Sequence, residues 1–500
     1  MPQMFNFKYM INKIIYSILF VFLINDLNAQ HSFEKIISTQ EDQVINDVLE
    51  DDDGNFLLVG RINNIESNLV EGYLLMVDSS GNLIEEKVIQ PTDTNAYIFF
   101  NVHFYDNNYY LLGSSTGPLS HDKKNLWYMK LSKDLDILSQ NELELPTGKW
   151  FSYFNSIIDS DTNFVIAGYT SRNDSIQIIH SDPAFIKISI DGDSICSNFM
   201  TEPPQRSRLA FDIIENYNHT DYYAFVSRFT NSSIGQKLVL NKNLDSINLQ
   251  PIPLGIFDNY SPVYLTDSTI LLSGLGSPYQ SVPYALNVIS INDQTELIDY
   301  NYFKLSDNFR EYPAMYNGVS KNGGNIFIGG TSNFDFYNPF FSTLNSWFHL
   351  IKINPDISPI WEYWYGGDVY YHLYSILATN DGGCLMVGNR YDDETQVLER
   401  DIYIAKVNTD GLIVWTQEIL INKQETTVYP NPGTNQLIIK TSGNLMDFEL
   451  KNITGQLIIN KRIENNYKTI NTESLRSGIY LYRIIDKKNK TIETGKWIKK

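Results

Sequence analysis

Three stretches of the chain carry residue types whose spacing could do chemistry. Gly113-Ser114-Ser115-Thr116-Gly117 fits G-x-S-x-G, the nucleophile elbow that exposes a serine on a sharp turn from a strand into a helix. A strand-like run precedes it, but Pro118 and the polar residues to Asn125 do not begin a helix, so the segment reads as a loop of a repeat. Asp51-Asp52-Asp53-Gly54-Asn55 groups carboxylates as a calcium loop does. An EF-type loop needs alternating oxygen ligands and a distant Glu, and Leu49 interrupts that pattern, which leaves a solvated hairpin turn. Trp361-Glu362-Tyr363-Trp364-Tyr365, followed by Tyr371 and His372, is the densest aromatic segment, and aromatic faces beside acids suit sugar rings. Strand alternation puts Trp361, Tyr363 and Tyr365 on one face and Glu362 and Trp364 on the other. Core packing is the preferred reading; Trp361, Trp364, Tyr371 and His372 are the residues that would touch a ligand otherwise. No HExxH, P-loop or dinucleotide fingerprint is present, and the seven histidines are scattered. No catalytic residue, metal ligand or cofactor is therefore assigned.

The elements that must position these residues are short strands. Ala378 to Leu420 contains four β-like runs: one ending at Ala378, then 384–389, 401–407 and 412–419. Asp381-Gly382 and Asp410-Gly411 separate the first and last pairs, a hairpin signal because type I′ turns need positive φ at both central residues. The stretch reads as a four-stranded antiparallel meander. Related copies place a marker at Gly60, Gly113, Gly168, Ser227, Gly274, Gly329 and Gly388, at intervals of 47 to 59 residues. Each is followed by a polar loop, a second apolar run, a turn and a last strand. A lone meander would leave an apolar face bare, and seven of them in a closed ring bury those faces on their neighbours. The expected fold class is all-β, a seven-bladed β-propeller followed by a small C-terminal β-sandwich. Phe33–Ile37 precedes the first repeat and reads equally as a clasp completing the last blade or as a frayed arm.

The chain has 38 Lys and Arg against 58 Asp and Glu, a net charge of −20, which argues against nucleic acid as a partner. Of these, 13 and 6 fall in 426–500, so the tail carries +7 and the remainder −27, a change of sign that marks a boundary near Glu425. Residues 1–29 read as a signal peptide: Lys8 and Lys13, an apolar core Ile14–Ile24, and small residues before Gln30. That core is too short to span about 30 Å of hydrocarbon, so no transmembrane segment is expected in the mature chain. The divisions are thus 1–29, a propeller at 30–425, and the tail at 426–500. Cys196 and Cys384 read as two separate buried thiols rather than a disulfide.

In the tail, Tyr429-Pro430-Asn431-Pro432 is a stiff lead-in with two missing donors. Leu437-Ile438-Ile439, Gly455, Gly478-Ile479-Tyr480 and a closing Lys496-Trp497-Ile498-Lys499-Lys500 follow in order. This segment resembles the type A C-terminal sorting domain of the type IX secretion system of Bacteroidetes. The repeats resemble divergent propeller repeats of secreted Bacteroidetes proteins, best in the last copy at Gly382-Gly383, Gly388, Lys406, Gly411 and Trp415. The resemblance implies partnership with the type IX machinery and its sortase-like peptidase, recognition through Tyr429, Pro430, Asn431, Pro432, Gly455, Gly478, Tyr480 and Lys496, and delivery to the cell surface or the medium. The expected function is a non-catalytic module for an extracellular glycan or protein. The alternative is a polysaccharide hydrolase or lyase using acids in the propeller funnel.

Overall fold

A computed structural model describes residues 32–64, 69–91, 96–116, 124–143, 151–171, 181–201, 207–229, 234–276, 284–395, 398–413, 419–420, 427–440, 446–452, 456–463, 467–485 and 491–500. Residues 1–29, Gly117, Trp415 and Gly455 lie outside them. Seven antiparallel sheets follow one another in chain order and form the blades of a propeller: residues 42–89, 96–143, 151–199, 207–251, 257–303, 311–366 and 370–407. The first and last sheets touch, which closes the ring.

Each blade is covered on both faces by its neighbours, so its middle strands are rich in apolar residues and largely buried. The third strand of the last blade, Asp401–Val407, is buried throughout, whereas the fourth strand of the first, Leu83–Ile89, is mostly exposed. Between the first two blades Leu57 and Val59 pack with Phe99 and Trp127, and Trp127 stacks on Phe99 at 4.5 Å. Burying each such side chain contributes about 1.5–3 kcal/mol.

The repeated glycine has a steric cause. The innermost strand of four blades carries one extra residue, at Asn46, Phe100, Phe154 and Tyr374, directly after the partner of the marker. The bulged strand presses its carbonyl against the second strand. A Cβ at Gly60 would lie 1.9 Å from the Val44 oxygen, and one at Gly388 2.1 Å from that of His372. In the fourth blade the extra residue is Phe211 and Val226 faces the bulge, one position before the Ser227 expected from the spacing.

Three sequence expectations change. At Thr379–Gly383 only Gly382 has positive φ, 84°, and the Gly382 amide donates to Thr379 (2.9 Å). The hairpin is thus a type I turn followed by one left-handed residue, with no type I′ pair, and the same holds at Gly411. The acids of these turns hold the backbone: Asp51 Oδ1 accepts from the amides of Asp53 (2.9 Å) and Asn55 (2.8 Å), and its Oδ2 from the Tyr109 hydroxyl (2.7 Å). Finally, 378–420 is not a complete blade. Its fourth place is taken by Phe33–Ser38, antiparallel to Asp401–Val407 with Phe33 opposite Lys406, and Ile419–Leu420 adds outside it in parallel. Phe33 and Ile37 are buried there, while Leu412 is exposed, so the clasp wins on apolar burial.

The sixth blade breaks its innermost strand. Between Glu311–Pro313 and Val319–Asn322 the chain swings onto the next blade: the Tyr316 amide donates to the Tyr374 carbonyl (2.9 Å) and the Ile376 amide to that of Asn317 (2.9 Å). The tail is a sandwich of a three-stranded and a four-stranded sheet around Leu437, Phe448, Tyr480 and a fully buried Trp497. Cys196 and Cys384 are both free thiols. Among the described residues no helix is long and apolar enough to cross a membrane.

Candidate functional site

The bulge that needs the marker glycine also turns the next side chain inward. Asp47, Asn101, Asn155, Asp212 and Ser375 occupy that position in five blades, and they link blade to blade. Asp47 accepts from Asn101 Nδ2 (3.2 Å), the Val102 amide (3.1 Å) and Ser375 Oγ (3.3 Å). The Tyr153 hydroxyl bonds Asn101, and Asp212 takes bonds from the Ile213 amide (2.6 Å) and the Asn155 side chain. In the fifth and sixth blades Ser261 Oγ accepts from the Gly318 amide (2.7 Å). Burial pushes the Asp47 carboxyl up to about 6, against the bonds from Val102, Val48, Asn101 and Ser375, and pushes Asp212 well above its ordinary range. Two acids in a ring could exchange protons, but here their oxygens serve as ties between blades.

The mouth of the ring lies at the end where each innermost strand begins. There Asp42 receives Arg400 in a two-pronged pair, Nε to Oδ1 at 2.7 Å and Nη2 to Oδ2 at 2.6 Å. Tyr374 lies beside Arg400. Tyr316 reaches across, 6.1 Å from Phe100 and 6.1 Å from Tyr374 between ring centres, and within electrostatic range of Tyr169. Arg61 stands among Arg400, Tyr374, Tyr316 and Asp42, partly open to solvent, its pKa lowered by burial and by Arg400. These groups come from the first, second, third, sixth and seventh blades, so they meet on the axis.

Over this mouth hangs the connection 333–346. Asp335 organises it, accepting from the amides of Tyr337 (2.9 Å) and Asn338 (3.1 Å) and from Ser342 Oγ (2.7 Å). Burial alone would raise the Asp335 pKa, but these bonds hold it below the ordinary range. Phe334 stacks on Tyr312 at 4.3 Å, and Arg310 lies 5.7 Å from Phe336 and 6.0 Å from Tyr337. Arg400 sits 4.9 Å below Phe341 and 5.3 Å below Phe340. Tyr337 is 90% exposed.

The aromatic residues singled out by the sequence are dispersed. Trp361 donates to the Thr409 carbonyl (3.0 Å) and Tyr371 is buried with its hydroxyl on Asp368 (2.6 Å), so both are packed against neighbours. Trp364, on the opposite face as alternation required, stacks on His349 at 4.8 Å. His349 is bonded on both nitrogens, to Glu311 (3.1 Å) and Glu362 (2.8 Å); burial lowers its pKa, but the two carboxylates outweigh it and the net shift is upward. His372 is buried 4.9 Å from Phe334 and 4.6 Å from Tyr374, and is the one residue of the four that adjoins the mouth. Ser115 lies within a strand with its hydroxyl on Glu142, not on an elbow. Arg61, Arg400 and Tyr316 escaped sequence reading because they are isolated in the chain. Among the described residues no cluster of three His, Cys, Asp or Glu is placed to hold a metal.

In the tail the lead-in and the last strand lock together. The Pro430 carbonyl accepts from Trp497 Nε1 (2.8 Å), and Asn431 donates to the Lys496 carbonyl (2.5 Å) and accepts from the Ile498 amide (3.0 Å). Tyr480 packs 6.0 Å from Trp497 and bonds the Arg476 carbonyl (2.9 Å); Gly478 opens that strand, and Tyr429 is exposed before Pro432. Residues 427–500 match the family of secretion system C-terminal sorting domains. The chain ends in a type IX sorting domain. The sorting domain directs export to the cell surface or the medium and implies contact with the type IX machinery. No curated protein is similar in sequence. By shape the chain is similar to the β-propeller domain of the Trilobed protease from Pyrococcus furiosus, with 10% identity, 75% of this chain and 99% of that one covered, and TM-score 0.42. It is also similar to puromycin hydrolase (7%, 89% and 59%, 0.45) and to Pyrococcus horikoshii acylaminoacyl peptidase (12%, 79% and 58%, 0.38). The chain thus spans less than two thirds of the latter two.

Proposed function

We propose that the protein is an exported, non-catalytic binding module of a Bacteroidetes cell, sent out by a signal peptide and a type A sorting domain, which binds an extracellular glycan or protein at the mouth of its propeller. The observation that carries this is the rim: an aromatic connection held by its own hydrogen bonds, with the Tyr337 ring 90% exposed to water beside Arg310. A surface ordered before it meets its ligand loses little entropy on binding. The axial acids favour binding over turnover, because Asp47 and Asp212 are engaged between blades and, among the described residues, no His or Arg is bonded to either. One observation speaks for a polysaccharide hydrolase or lyase instead: the raised pKa of Asp47, a trait of general acids.

A glycan and surface-protein array probed with the full mature chain tests the reading. Binding that falls about tenfold in Tyr337→Ala and persists in Asp47→Asn supports it. Release of new sugar ends, abolished by Asp47→Asn, would replace it with the enzyme. Removing 427–500 is expected to hold the protein in the periplasm; the truncated chain at the surface or in the medium would refute the export route.

A further inference from the structure

We infer that the axial mouth binds an anionic sugar residue, its carboxylate or sulfate group taken by Arg61 beside Arg400 and its ring set against the surrounding aromatic walls. This rests on the proposal that the mouth is a binding site and names what it takes. The charge count is the starting point. Among the described residues two guanidinium groups, Arg61 and Arg400, share one carboxylate, Asp42, and Asp42 is already engaged in a two-pronged pair with Arg400. The Arg61 side chain has no hydrogen bond or ion pair among the described residues, although it is largely enclosed between blades. An uncompensated cation in such surroundings is costly, and an arriving anion removes that cost. It is an unusual spot in a chain of net charge −20.

The chemistry around Arg61 selects the anion. A guanidinium fork matches the two oxygens of a carboxylate or sulfate. The hydroxyls of Tyr316 and Tyr374 stand in the same group. Phe100 lies against Tyr316, and Phe340 hangs above Arg400, giving flat faces for the C–H side of a pyranose. The innermost strand that borders the pit spends its backbone on the neighbouring blade, as the Tyr316 and Asn317 amides both do on the Tyr374 carbonyl. An extended acidic peptide would not find that backbone free to pair with.

Calorimetric titration of the full mature chain decides the matter, with an oligogalacturonate, its methyl ester and a sulfated galactan oligosaccharide as probes. The acid or the sulfate ester, whichever the pit accepts, should bind at least about tenfold tighter than the uncharged methyl ester, a difference that shrinks as salt is raised. Arg61→Gln should erase that difference, and Arg61→Lys should keep part of it. Among the described residues the Arg61 side chain donates no hydrogen bond, so both variants are expected to melt like the parent, and the melt is the control for folding. Equal binding of acid and ester, or an unaffected Arg61→Gln, overturns the anion site while leaving the binding module standing. A poly-glutamate peptide bound as tightly as the oligogalacturonate, and lost in Arg61→Gln, overturns the sugar assignment in favour of an acidic protein. Binding of none of the probes by the parent overturns the inference; the Tyr337→Ala array result then judges the wider reading on its own.

Discussion

Cutting back the N-terminal strap is the sharpest test of the ring. Phe33 and Ile37 are 1% and 0% exposed and join a core that contains Ile45, Phe56 and Leu75 of the first blade and Leu385, Ile402 and Ile404 of the last. Truncation of a buried Phe to Ala costs about 3–5 kcal/mol, and of a buried Ile about 2–5. The two side chains are four residues apart on an extended strand, roughly 13 Å, so their losses should nearly add. Phe33→Ala is thus expected to lower unfolding free energy by about 3–5 kcal/mol, and Phe33→Ala/Ile37→Ala by about 5–9 kcal/mol. The control is Ile84→Ala on the outer strand of the first blade, 50% exposed, for which a change within about 0.5 kcal/mol is expected. Urea unfolding followed by tryptophan emission measures all three. A loss below about 1 kcal/mol in the double variant would mean that the strap does not close the ring in solution, and the account of the seam would fall.

Asp47 gives a pH signature. Its pKa is raised by burial from an ordinary 3.8 to about 6, so the stability it contributes is fully present below about pH 4 and is lost as pH rises through about 6. The whole swing is at most about 3 kcal/mol. Asp47→Asn should flatten urea stability between pH 4 and 7 and raise it at pH 7; an unchanged pH profile would refute the assignment, with Asp212 supplying any remaining slope. Gly388→Ala should cost at least about 1–3 kcal/mol, since its methyl would meet the His372 carbonyl and the Phe348 ring; a neutral result in thermal melts would show that the bulge yields.

Much of the ring could be read from short-range signals. The marker glycines, the buried third strands and the turns led by short polar residues recur along the chain because each blade solves the same packing problem with neighbours on both sides. Blade four shows the limit: Val226 replaces the glycine, and spacing alone placed the marker one residue late. The last blade shows another, since its fourth strand comes from residue 33 and periodicity carries no information about a partner so far back. The mouth was hidden for the same reason. Arg61, Tyr169, Tyr316, Tyr374 and Arg400 are distant in sequence and have no common spacing; only the closed ring brings them together. Nothing in Ala314–Gly318 marks a strand that leaves its own sheet, because the hydrogen bonds that draw it away belong to the next blade.

The strap has a thermodynamic corollary. Glu34 and Tyr403, bonded at 2.6 Å, are separated by 369 residues. Joining ends that far apart forfeits only about 3 kcal/mol more chain entropy than closing a ten-residue hairpin, because the loss grows with the logarithm of length. One well-buried phenylalanine is enough to offset that deficit. With Ile37 buried beside it, the circle is fastened at a net gain, and distance along the chain is no obstacle to a seam made of two apolar side chains.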